Sequence, residues 1–235
     1  MTPKISLNRD LLVERALKIA DSDGLESLTI RRLADEFQVT PMAMYWHFAN
    51  KDALLGAIGG AIIETIGLPD IDADLSTFLT TAMTNLVESM REHPNVAPLV
   101  AGQILHSERG CDLTELTLDQ LANAGFDVDQ AALVSHNALQ IAIMLVVGEP
   151  GMEVGVRPEK RDDVLAEKLA TLQSLPSDRF PRLIAAASAL TSCEDSDDYY
   201  EVGIATFVAG VVHGITPAGH TGSHTEKSRN KPVKV

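Results

Sequence analysis

The stretch "TPMAMYWHFANKDALL", residues 40–55, gathers Tyr45, Trp46, His47 and Phe48 in a chain that is only 4% aromatic. Thr40 and Pro41 stand in front of the cluster, Asn50 and Lys51 behind it. A phenol, an imidazole and an ammonium so close together suit contacts to an anion such as a phosphate oxygen. Thr40 is expected to cap a short helix with Pro41 at its first position, where a missing N–H costs nothing. At the helical period Met44 and Phe48 fall together on an inner face. Met42, Ala43 and Trp46 point outward, with Tyr45 and His47 flanking them. Asn50 opens a further helix, so Lys51 and the free N–H groups of its first turn make a second anion site. Other chemistry has little to stand on. There is no glycine-rich phosphate loop, GxSxG or HExxH. Cys111 and Cys193 have no metal-binding spacing and fit a reducing compartment. Neither an enzyme nor a cofactor is expected.

Positioning these groups takes helices on both sides. Asn8 caps a first helix to about residue 22, with Leu12, Ala16 and Ile19 on one face and Gly24 as its stop. Thr29 caps a second, whose Ile30, Leu33, Ala34 and Phe37 keep the i, i+3, i+4, i+7 pattern. A turn of a few residues leads to the short helix at 41–48, and a fourth helix runs over 51–66. Two short capped helices across a tight turn have helix-turn-helix spacing, in which the second helix enters the DNA major groove. The stretch "GLPDIDAD" reads as a domain boundary. Beyond it, helices are expected at about 75–92, 95–106, 113–124, 128–148, 160–174, 181–191 and 197–214. The fold class is therefore all-α: an N-terminal three-helix helix-turn-helix domain over residues 1–67 and a larger helical domain over 68–216. A disordered basic tail is expected over 217–235.

The net charge of −14 seems to argue against a nucleic-acid partner, but its distribution matters more. Residues 1–56 carry seven Lys/Arg and eight Asp/Glu, and residues 57–216 carry eight and twenty-four. The N-terminal unit is nearly neutral and can present a basic face to DNA. The start has no secretory signal pattern. No apolar run reaches the roughly 18–20 residues that span a bilayer. A cytoplasmic protein without a membrane partner is expected. Helices 128–148 and 197–214 are apolar over much of their circumference, so part of their surface is expected to face a second copy of the chain.

The segment "LTIRRLADEFQVTPMAMYWHFANKDALL", residues 28–55, resembles the DNA-binding segment of TetR-family transcriptional regulators, and its "YWHFANKDALL" run is close to the tetracycline repressor branch. Weaker likeness continues through "MREHPNVAPLVAG", "LANAGFDVDQAA", "LPSDRFPRLIAAASAL" and "YYEVGIATFVAGVV". The resemblance implies a homodimer that reads a palindromic operator and is released by a small-molecule effector. The alternative is a sensing protein without specific operator recognition. Carried over by position, Thr29 caps its helix against a phosphate and Arg31 reaches a base. Pro41, Met42, Ala43 and Tyr45 line the reading surface, His47 and Lys51 hold the backbone, and Thr40 belongs to the same DNA-binding set. In the larger domain, Gln103, His106, His136, Asn137 and Gln140 are the polar candidates for ligand contact or for pairing across a dimer. His106 and Glu149 are the only metal candidates, because a histidine and a glutamate in comparable places serve a metal-bound drug in the tetracycline repressors. No metal site is assigned.

Overall fold

The computed structural model describes residues 7–156, 158–193 and 195–214. Residues 217–235, expected to be a tail, lie outside them. The described residues are helical and form no strand. The helices are α1 (Arg9–Asp23), α2 (Ile30–Glu36), α3 (Pro41–Tyr45), α4 (Lys51–Ile63), α5 (Leu75–Arg91) and α6 (Pro98–Gln103). They continue as α7 (Glu108–Asn123), α8 (Val128–Val147), α9 (Pro158–Gln173), α10 (Pro181–Ala185), α11 (Ala187–Thr191) and α12 (Ser196–Ala209).

Local signals set most of the starts. The side chains of Asn8, Thr29, Asn50, Asp74 and Ser107 each accept a backbone N–H in the first turn of α1, α2, α4, α5 and α7. Each such cap is worth about 1 kcal/mol. Asp127 and Gln130 form a reciprocal capping box on α8. Gly24 ends α1 at φ 80°, a conformation that side chains with a Cβ seldom adopt. Between α2 and α3, Gln38 takes the left-handed conformation at φ 54°, and Val39 N–H returns to the Ala34 carbonyl. This closes the helix-turn-helix turn in the manner of a C-terminal helix cap.

Several boundaries differ from the sequence reading. The third helix stops at Tyr45 rather than 48, and Trp46 and His47 lie in the turn that follows. The fourth ends at Ile63. Helix α7 begins at Glu108, whereas "SERGCD" reads as a loop through Asp112. Gly110 misleads there, because it looks like a breaker but serves packing: a Cβ on it would lie 2.8 Å from the Ile104 carbonyl carbon and closer still to its oxygen. Residues 95–106 resolve into α6 and a 3-10 turn, Ile104–His106. Ala186 divides 181–191 into α10 and α11, and α12 passes into a π turn at Gly210.

The larger part is built around α5, whose Phe78, Leu79, Ala82, Met83, Leu86, Val87 and Met90 form one buried stripe. It packs against α7, α8 and α12. Helix α8 buries Ala131, Val134, Ala138, Leu139, Ala142, Ile143 and Val146. It is also, contrary to the sequence reading, long and apolar enough to cross a membrane, with mean hydropathy 1.5 over the relevant window. Only part of it is buried, and its outward side carries Leu133 (64% exposed) and Met144 (63%). On neighbouring α12, Val202 is 67% exposed. Val211, in the π turn that follows α12, points inward at 2%.

The N-terminal helices are tied to the rest through α4 and through the end of α1. Helix α4 packs on α6 across Gly59, where an added Cβ would sit 3.0 Å from the Leu99 carbonyl oxygen. The neighbouring Gly56 abuts the Gln103 amide, whereas Gly60 faces open space. The second tie is the turn after α5. His93 Nδ1 lies 2.8 Å from Asp21 Oδ2, at the end of α1. Asn95 Nδ2 donates to the carbonyls of Ala20 (2.9 Å) and Asp21 (3.2 Å). Its Oδ1 accepts from Gly155 N–H at 3.2 Å.

Candidate functional site

The short helix α3 is held from below. Met44 and Phe48 are buried at 0% and 1% exposure, and the Arg9 guanidinium sits 5.6 Å over the Phe48 ring. With those two anchors inside, the opposite arc faces outward. Met42 is 69% exposed, Tyr45 51% and Trp46 88%. Large hydrophobic side chains this exposed, side by side, mark a binding surface. Ala43, expected outside, is half-buried against the core. Thr40 occupies the cap position of α3, but its side chain makes no capping bond, in contrast to the sequence expectation. Its exposed hydroxyl is therefore available to a ligand. His47 is half-buried, with its ring 6.5 Å from that of Phe48.

The flanking groups border the same arc. Thr29 Oγ1 accepts from Arg32 N–H at 3.0 Å. The two adjacent arginines part ways: Arg32 pairs with Asp23. Arg31 is exposed and enters no ion pair among the described residues. Glu36, a possible partner for either by spacing, is taken by Arg15. Lys51 stands at the first position of α4, beside Asn50, whose side chain caps Ala53 N–H at 2.8 Å. The N-terminus of a helix with a lysine at its first position suits an anion.

A cavity of about 300 Å³ lies between α5, α7 and α8, roofed by the Ile104–His106 turn. Its α5 wall is Leu79, Ala82, Met83 and Leu86. Its polar groups are Thr114 and Thr117 on α7 and Ser135 and His136 on α8. Of the residues read from sequence as ligand candidates, His136 lines this cavity. Asn137 is exposed and Gln140 half-buried, so the expectation that they are buried does not hold in the single chain. Gln103 and His106 lie elsewhere, in an open groove against α1 and α4. Glu149 accepts a 2.6 Å hydrogen bond from the Tyr200 hydroxyl. Burial and this carboxylate push the Tyr200 phenol above its ordinary value. His106 and Glu149 therefore have separate surroundings, and no group of three metal-binding side chains forms among the described residues.

Sequence reasoning missed Thr114, Thr117 and Ser135, and it took His93 and Asn95 only as a helix break. A signal existed for the threonines. They stand at i, i+3 among Leu113 and Leu118, on the inward face of an amphipathic helix, where a polar side chain needs a reason. The role of Asn95 depends on contacts from residues 60 and 75 positions away, which no local pattern contains.

Comparison with known proteins agrees with this geometry. Residues 12–58 match the family model described as bacterial regulatory proteins, tetR family, and residues 68–214 match the tetracyclin repressor-like C-terminal domain. The tetracycline repressor protein class C of Escherichia coli is 26% identical over 208 residues, covering 87% of this chain and 90% of that protein. The Streptomyces coelicolor TetR family protein ActR, in complex with (S)-DNPA, superposes with a TM-score of 0.67 at 25% identity, covering 92% of this chain and all of that one. A variant of TetR from Acinetobacter baumannii AYE, in complex with minocycline, gives a TM-score of 0.60 at 22% identity over 87% of this chain and 96% of that one. With a helix-turn-helix unit and a larger helical domain that carries a cavity, this chain belongs to the TetR family of DNA-binding regulators of transcription.

Proposed function

We propose that the protein is a cytoplasmic homodimeric repressor that leaves a palindromic operator when a small molecule enters the α5–α7–α8 cavity. The observation that carries this reading is the exposed arc of Met42 and Tyr45 on α3 and Trp46 in the turn after it, braced from inside by Met44 and Phe48 and flanked by Arg31 and Lys51. Pro41, Met42, Ala43 and Tyr45 face base edges, with Arg31 supplying hydrogen bonds that the apolar residues lack. Thr29, Thr40, His47 and Lys51 take phosphates, which fix register without reading sequence. Tetracycline repressors and the minocycline-bound relative support a drug-like effector by analogy.

Lys51→Ala tests this division of labour. Binding to the operator and to unrelated DNA should weaken by about the same factor. The slope of log K against log salt should fall by about 0.9 for each phosphate that is no longer neutralised, so by roughly two in a dimer. An altered base preference with an unchanged salt slope would show that Lys51 reads sequence instead.

A further inference from the structure

The cavity's lining restricts the kind of molecule it accepts. Among the described residues, no Asp, Glu, Lys, Arg or Cys lines it. Among the described residues that line it, His136, itself exposed, is the only titratable group and the only conventional metal ligand. A charge brought inside would find no counter-charge, and an unpaired charge is the costliest thing to bury. A divalent metal ion would find a single imidazole and no carboxylate to offset its charge. The α5 wall is a continuous apolar stripe. The polar groups stand on the other two helices, so an occupant meets oil on one side and hydrogen-bonding groups on the other.

Those groups have a direction. Thr117 Oγ1 donates its proton to the Leu113 carbonyl at 2.7 Å, and Thr114 Oγ1 to Gly110 at 2.8 Å. With their hydrogens committed to their own helix, both oxygens can only accept from a ligand. Ser135 and His136 form no hydrogen bond among the described residues and can accept as well. The cavity volume sits at the lower end of the ~300–1,000 Å³ usual for small-molecule sites.

We propose that this cavity binds an uncharged, largely apolar ligand that presents a hydrogen-bond donor to Thr114 and Thr117, and that it does so without a metal ion. The inference rests on the reading of the cavity as the effector site, and it departs from a metal-bound drug as effector.

A matched set of fluorescent probes tests it on the full-length protein. N-phenyl-1-naphthylamine is neutral, apolar and carries one N–H. 1-Anilinonaphthalene-8-sulfonate has the same rings plus a fixed negative charge. N-methyl-N-phenyl-1-naphthylamine lacks the donor. The neutral amine should bind saturably in the presence of EDTA, with the sulfonate at least tenfold weaker. Thr117→Val should reduce binding of the N–H probe several-fold and leave the N-methyl probe unchanged. Ser135→Trp and Leu118→Trp, each checked for helical content by circular dichroism, should both abolish binding by filling the space. Sulfonate binding as tight as that of the neutral amine, a requirement for divalent metal, or binding indifferent to both tryptophans would overturn the assignment. DNA binding measured on the same samples separates the two layers. Exclusion of the neutral amine with selective DNA binding intact sinks the ligand class alone, and loss of selective DNA binding by the wild type sinks the regulator reading.

Discussion

Leu133→Asp combined with Val202→Asp is expected to yield a folded monomer that binds operator DNA about 10²–10⁴-fold more weakly than the wild type. The two side chains are 64% and 67% exposed on helices that touch, and Met144 on α8 is 63% exposed. Exposed large apolar groups on two touching helices offer surface that a second copy can cover. The acidic composition of residues 57–216 opposes association, so a lasting contact must be mostly apolar and of the order of 1,200–2,000 Å². Carboxylates at its centre would be buried unpaired in the dimer yet solvated in the monomer, which directs the damage to association. The loss of DNA affinity follows from effective concentration, because two linked reading heads bind far more tightly than either alone. Analytical ultracentrifugation and circular dichroism together check the outcome. A double variant that stays dimeric would move the interface elsewhere. Phe207→Asp and Val211→Asp, suggested by helical periodicity alone, are poorer tests. Val211 is buried within its own chain and Phe207 half-buried, so both would disturb folding first.

Gly110→Ala should cost about 1–3 kcal/mol of stability, the usual range for forced overpacking, and should abolish the response to effector while sparing DNA binding. The added Cβ meets the Ile104 carbonyl group, which is backbone and cannot swing aside. Relief requires moving the Ile104–His106 turn away from the start of α7. That turn supplies Ile104 and Leu105 to the cavity, and the next turns of α7 supply Leu113 and Thr114. The N-terminal helices meet this junction through α4, which packs on α6 and on the turn. Thermal unfolding and effector titration of a DNA complex would check both halves. An alanine variant with wild-type stability and response would show that the α6–α7 junction is softer than its packing implies.

The helix-turn-helix unit was legible because its determinants are local. Caps at Asn8, Thr29 and Asn50, a stop at Gly24 and the inward pair Met44–Phe48 all lie within one or two turns of what they control. Positions were harder where a residue type has two uses. Gly110 reads as a break but is a close contact, and Thr40 sits at a cap position without capping. The larger domain was legible as helices and not as a site. Which polar side chains face inward depends on how α5, α7 and α8 rotate against each other, and a sequence wheel fixes only relative directions on one helix. Asn137 and Gln140 were therefore expected inside and lie at the surface or half-buried, while Thr114 and Thr117 passed unnoticed.

Helix α3 and its flanks are proposed to read a specific DNA sequence. Selection of bound fragments from sheared genomic DNA by the purified wild-type protein, at a stated salt concentration, tests this role most directly. A few fragments that share one inverted repeat should be enriched, bound at least about 10³-fold more tightly than random DNA. Tyr45→Ala should erase that preference while leaving the protein folded. Recovery of fragments without a common motif, or a motif that Tyr45→Ala leaves unchanged, would contradict the proposed role.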